Sequence, residues 1–299
     1  MENYIGESAA LSVALCWSFT SIFFTIASRQ LGSLRVNLIR LFIATILLII
    51  VHFLLFGKAL PIDAERYRWF WLGLSGFIGL VLGDSLLFKA FSVIGARLSM
   101  LLMSLVPIIS TLMAWTLLGE MLSLVEIIAI VVTVGGIAWV VSERNNGNNK
   151  PHDSKYLWGI LFGLGGAVGQ SIGLVFAKKG LVGEFSPLSA NLMRMFTAAI
   201  IFALLTLFRE KSLRTLHFWD IKSARLPILG GSLFGPFLGV WLSLVAIKYS
   251  NVGIASTLMA LPPIFLIPLS YWIFHEKISW RSAGGTILVF IGVSLIFLT

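Results

Sequence analysis

The chain has 299 residues, 58% of them hydrophobic and only 12% charged, with a net charge of +9 and a mean hydropathy of +0.96. A soluble domain carries roughly 25% charged residues, so water cannot be the solvent of most of this surface and a large soluble domain is excluded. The basic residues stand singly between apolar runs, which points to anchoring at anionic lipid head groups and away from nucleic acid.

Ten apolar runs follow in order: 6–28, 34–56, 69–90, 98–118, 122–142, 156–178, 187–208, 226–248, 253–274 and 279–298. About 20 residues at a 1.5 Å rise cross a ~30 Å hydrocarbon core, so each run predicts a membrane-spanning helix. The alternating ten-residue segments of a transmembrane barrel are absent. No basic n-region precedes the first run and no small-residue cleavage site follows it, so it is expected to be retained. The single cysteine, Cys16, excludes an intramolecular disulfide and a Cys-based metal cluster. Between the fifth and sixth runs, Ser142-Glu-Arg-Asn-Asn-Gly-Asn-Asn-Lys-Pro-His-Asp-Ser154 is the most polar stretch and predicts a linker over 143–155. The expected units are therefore 1–142 and 156–299, with five spans each.

The two units are copies. Asn37-Leu-Ile-Arg-Leu-Phe42 returns as Asn191-Leu-Met-Arg-Met-Phe196, and six of the twelve positions from 37–48 match 191–202. Further on, at a shift of 156, Gly79 falls on Gly235, Gly83 on Gly239, Met103 on Met259, Pro107 on Pro263 and Glu120 on Glu276. An odd number of spans per copy makes the second enter the membrane from the opposite side. The predicted fold is an all-α polytopic membrane protein, ten transmembrane helices arranged as two inverted five-helix repeats. Many secondary transporters are built this way, with the substrate site near the midplane between the repeats.

One set of residues occurs twice in order. Trp17 lies in the first span, Arg40 and Arg194 open the second and seventh, and a block reads Gly95-Ala-Arg-Leu-Ser-Met100, Leu105-Val-Pro107, Leu118-Gly-Glu-Met-Leu-Ser123, Gly135-Gly136. Its second copy reads Val252-Gly-Ile-Ala-Ser-Thr257, Leu261-Pro-Pro263, His275-Glu-Lys-Ile-Ser279, Gly292. Over its full length the chain resembles the drug/metabolite transporter superfamily, in its ten-helix EamA-like form. The resemblance implies transport of small metabolites, often export of amino acids, through a central cavity lined by spans 1, 3, 4, 6, 8 and 9. It departs at Gln170-Ser171, where the family often has tryptophan, and at His275-Glu276 in place of Gly-Glu; both bear on substrate class. The resemblance also implies cell-membrane localisation in a bacterium or archaeon.

Asp84 is the only aspartate well inside an apolar span. A central aspartate costs about 2.5–3.5 kcal/mol on insertion scales and tends to face a cavity or partner. It is a candidate for binding an ammonium group or carrying a coupling proton; the alternative is a structural carboxylate bonded to Ser85, to a neighbouring helix or to Lys89. Arg40 and Arg194 are candidates for gripping a substrate carboxylate or gating. Their expected role is nonetheless that of snorkelling anchors that grip phosphate at the interface. Glu120 and Glu276 end the fourth and ninth spans against the helix dipole, as structural corners or gates. Pro107 and Pro263 predict kinks whose freed carbonyls could face a cavity. With Trp17, Trp241, Phe88, Met103, Met259 and Gln170 they complete the candidate substrate-binding set. Gly79 and Gly83, and the series Gly159, Gly163, Gly166, Gly169 and Gly173, predict close helix packing.

An intramembrane aspartyl protease needs two carboxylates sharing a proton, and no second in-membrane aspartate exists; the chain is expected not to be an enzyme. A channel stays open as the alternative, although no ring of charges is visible. No G-x-x-x-x-G-K-[ST] signature is present, so no nucleotide or other cofactor is expected. The expected partners are a small-molecule substrate, protons as a coupling candidate and the lipid bilayer, with monomer and homodimer both open. Fourteen of the 22 Lys and Arg residues lie beside loops 1–2, 3–4, 5–6, 7–8 and 9–10, against six on the opposite side. The positive-inside rule then puts both termini outside, whereas the resemblance implies both cytoplasmic.

Overall fold

The computed structural model describes residues 4–109, 112–113, 124–141, 154–210, 222–249, 258–275 and 279–296. Among them all regular structure is helical, and six helices are long and apolar enough to cross a membrane, with three shorter apolar ones beside them. Lipid offers backbone groups no partner, so bonds closed within each segment are the form this composition can take. The chain is an all-α polytopic membrane protein.

In order, α1 is Ile5–Leu31 and α2 Ser33–Phe56. Helix α3 (66–94) starts with Arg66–Ser75, widens into a π-helical stretch, Gly76–Gly83, and returns to α geometry at Asp84. Gly95, at φ 81° and ψ 171°, separates it from α4 (96–109). Then come α5, Leu124–Val141; α6, Ser154–Gly180; and α7, Pro187–Glu210. Helix α8 repeats the pattern of α3: Lys222–Ser232, a π-helical Leu233–Gly239, and Val240–Tyr249. Helix α9 (258–274) and α10, Trp280–Ile296, complete the order.

Two of the expected loops shrink to one residue. Gly32 (φ 85°) joins α1 to α2, and Gly95 joins α3 to α4. Both take backbone angles that only glycine adopts without strain, so the chain reverses with no polar loop to mark the boundary. The interruptions expected in spans 4 and 9 take the form of helix breaks just before the prolines. Helix α4 breaks at Ser104–Leu105, and α9 at Ala260–Leu261, at the same place in each copy. Pro107 and Pro263 sit at the start of the fresh helical segments, where a missing N–H costs nothing.

The contacts obey the repeat. Helix α1 lies along α8 as α6 lies along α3; α2 pairs with α7, and α5 with α10. Where α3 meets α6 the backbones nearly touch: a Cβ on Gly173 would stand 2.9 Å from the Gly79 Cα, and one on Gly169 2.7 Å from the Gly83 Cα. Small residues at such a seam replace side-chain packing by direct backbone contact. The main cores flank it. One gathers Phe24, Val36, Phe88, Phe91 and Leu266; another gathers Leu38, Leu41, Leu192, Met195 and Phe237 between α2, α7 and α8.

Candidate functional site

The site forms where α2, α3, α6 and α7 meet, with two helices from each copy. Asn37 and Arg40 are three residues apart on α2 and so share a face. That face meets the π-helical stretch of α3, whose wider turns leave carbonyls open to side chains. Asn37 Nδ2 donates to Leu80 O at 3.0 Å, to Val81 O at 3.3 Å and to Ser85 Oγ at 2.8 Å. Its Oδ1 accepts from Arg40 Nε at 2.9 Å. Arg40 Nη2 in turn forms an ion pair with Asp84 Oδ2, and Gln170 Nε2 of α6 donates to Asp84 Oδ1. The Arg40 guanidinium lies 4.8 Å from the Phe88 ring centroid and 5.9 Å from that of Phe24, within cation–π range.

Arg40 is 3% exposed, Asp84 5% and Arg194 4%. The expected interfacial anchors are therefore buried inside the helix assembly, and the snorkelling assignment is corrected. Its physical reason is the π-helical stretch, which supplies carbonyls where a regular helix would present a closed apolar face, with the Asp84 carboxylate directly after it. Lys89 is exposed, and the cation that Asp84 pairs with is Arg40.

The second copy is built alike but left unfinished. Asn191 Nδ2 donates to Pro236 O at 3.1 Å, the counterpart of Leu80 in the π-helical stretch of α8. Yet Arg194 Nε and Asn191 Oδ1 both lack a hydrogen-bond partner among the described residues, although Arg40 and Asn37 join through those same two atoms. Arg194 is turned toward the first copy: its Nη2 and Gln170 Oε1 lie 3.8 and 3.7 Å from where a Cβ on Gly79 would stand. Two buried guanidiniums thus stand in this cluster with one carboxylate among the described residues, and that carboxylate pairs with Arg40.

Of the other expected site residues, Ser85 and Phe88 join this cluster, and Met103 packs on the Phe88 core. Trp17 lies against Gly239, and Met259 belongs to a separate core with Ala10, Val13 and Ala246 that Trp17 also touches. The Trp241 ring lies 6.1 Å from that of Phe237, tilted by 48°, in the core between α2, α7 and α8. The carbonyl beside Pro107 does not face open space: Val106 O accepts from Ser171 Oγ at 3.1 Å. Glu120 and Glu276 lie outside the described residues.

A second polar cluster had no distinct signal in the sequence. Arg68, at the start of α3, donates to Gly180 O at 3.1 Å and Val182 O at 2.8 Å, capping α6, and pairs with Glu65 at 2.5 Å. His52 bridges Lys58 O at 2.6 Å and Ser189 Oγ at 3.0 Å. Beside Arg68, the residues His52, Lys58, Asp63, Glu65, Phe185 and Ser189 line an open pocket of about 440 Å³. The hydrogen bond from Arg68 holds the exposed Glu65 carboxyl below its ordinary range. That contact is therefore present at neutral pH and disappears as pH falls through the lowered value. Arg68→Ala removes two charge-assisted bonds to helix-end carbonyls and should lower stability by about 2–4 kcal/mol. Arg68→Lys should restore little, because an ammonium cannot reproduce the fork. Thermal denaturation of the purified variants checks both.

Comparison with known proteins fits this architecture. Protein LicB of Haemophilus influenzae is 29% identical over 142 residues, covering 46% of each chain. An uncharacterized transporter of Archaeoglobus fulgidus is 30% identical over 126 residues, covering 42% of each. These matches span less than half the length of either relative. A crystal structure at 17% identity superposes with a TM-score of 0.68 over 99% of this chain and 96% of the other, which shows the shared fold. The profile of the EamA-like transporter family matches residues 4–142 and 157–298, and the chain belongs to that family.

Proposed function

We propose that the chain is a secondary carrier that exports a small metabolite of the amino-acid type, by alternating access between units 1–142 and 156–299. The observation that carries this reading is the buried polar cluster, to which both units contribute: Asn37, Arg40 and Asp84 from one, Gln170 and Arg194 from the other. Charged groups in a hydrocarbon setting are costly and mark substrate or ion pathways. Groups drawn from two inverted units can be regrouped when the units rock. Breaks at equivalent points of α4 and α9 support the same reading, since carriers of this organisation build their sites beside discontinuous helices. Asp84 is the proposed proton carrier, and both termini are proposed to face the cytoplasm.

Purified protein in liposomes should show saturable uptake of its substrate that accelerates when unlabelled substrate is loaded on the far side. Conductance that rises linearly with concentration, without trans-stimulation, would instead mark a channel. A C-terminal reporter active only in the cytoplasm tests the orientation; silence there would reverse it.

A further inference from the structure

The two copies give an internal template for what is missing at Arg194. Asp84 is the first residue after the π-helical stretch of α3, and Val240 is the first residue after that of α8. The same register places Leu80 on Pro236, and both carbonyls accept from the asparagine of the matching helix. Valine therefore stands where a carboxylate would complete the second copy. Its arginine is buried, its Nε and the Asn191 Oδ1 are each unpartnered among the described residues, and the cluster there holds two guanidiniums to one carboxylate. Unsatisfied buried groups of this kind call for an explanation, and a functional role is one of the recognised ones. A guanidinium fork matches a carboxylate with two parallel bonds.

We propose that the transported substrate carries a carboxylate, held by Arg194 in the place that Asp84 takes at Arg40. This names the substrate class of the carrier proposed above and rests on that reading. The bound carboxylate brings the cluster to two positive and two negative charges. With substrate bound, each arginine has a carboxylate of its own.

The test uses the full chain purified in nanodiscs, with melting temperature followed against sodium succinate, succinamide, sodium phosphate and sodium chloride at matched ionic strength. Succinate should raise the melting temperature saturably, and succinamide and chloride should not. Arg194→Gln should weaken the succinate response by about a hundredfold, the scale of losing one buried charge pair. Val240→Asp should abolish the response and melt above the unliganded wild type, because the chain then supplies its own carboxylate. A response that survives Arg194→Gln, that succinamide or chloride matches, or that only phosphate produces overturns the proposal, as does no response to succinate. Should Val240→Asp fail to fold, the Arg194→Gln result decides. Flux in liposomes separates the two readings: a specific shift without saturable flux removes the carrier and leaves the anion site. Saturable flux of uncharged metabolites alone does the reverse.

Discussion

Asp84→Asn should cost about 3–5 kcal/mol of stability, the usual penalty for removing one partner of a buried ion pair. The loss comes from what is left behind. Arg40 keeps Asn37 Oδ1 and the Leu80 carbonyl but loses its ion-pair partner. Asparagine fills the same volume and can still accept from Gln170, so packing is not the variable. The double variant Asp84→Asn, Arg40→Gln should be markedly less damaged than the sum of its single changes, because it removes both charges of the pair. Additive losses would show that the pair carries no coupling. In liposomes the single variant should lose flux driven by a pH gradient while keeping substrate exchange. If pH-driven flux survives, Asp84 is not the proton carrier.

Gly173→Val is the second large effect. The new Cβ would meet Gly79 Cα at 2.9 Å, Gly79 N at 3.1 Å and Ser75 O at 3.3 Å, all backbone atoms of α3. A side chain can swing aside, but a helix backbone has to move as a body, so the cost should reach or exceed the about 1–3 kcal/mol usual for overpacking. The displacement would also break the bond from Ser75 Oγ to Gly173 O, 2.6 Å long, and draw Gln170 away from Asp84. Gly135→Ala is the control, since nothing lies within 4 Å of a Cβ there. It should be neutral or stabilising by up to about 1 kcal/mol, as alanine is the better helix former. Folded yield and melting temperature of the two variants in detergent check the contrast.

Much of the architecture could be read from the residues. Apolar runs mark the spans because lipid admits no other composition, and the repeat shows in Asn37-x-x-Arg40 and Asn191-x-x-Arg194 without any structural aid. Asp84 stood out as a lone carboxylate in an apolar run. Its partner did not, because an arginine two turns into a span looks the same whether it reaches outward to phosphate or inward to a carboxylate. The difference lies in the π-helical stretches of α3 and α8, and hydropathy carries no trace of how many residues a turn contains. Arg68 was hidden for a related reason: its acceptors, at the end of α6 and just beyond it, lie more than a hundred residues away. The breaks in α4 and α9 were half visible, since the prolines locate them but cannot say whether a helix bends or restarts.

The one-residue junctions at Gly32 and Gly95 have a mechanical consequence. A hairpin closed by a single residue has no slack, so α1 cannot tilt without levering α2, nor α3 without α4. Helix α1 lies on α8 and α3 on α6, so each lever rests its long arm on the opposite copy. Torque applied at one seam is delivered to the other with little lost in stretching a loop. Lengthening either joint by a few flexible residues would leave every helix in place and uncouple the levers. The first copy is geared, and its gearing depends on two glycines with positive φ.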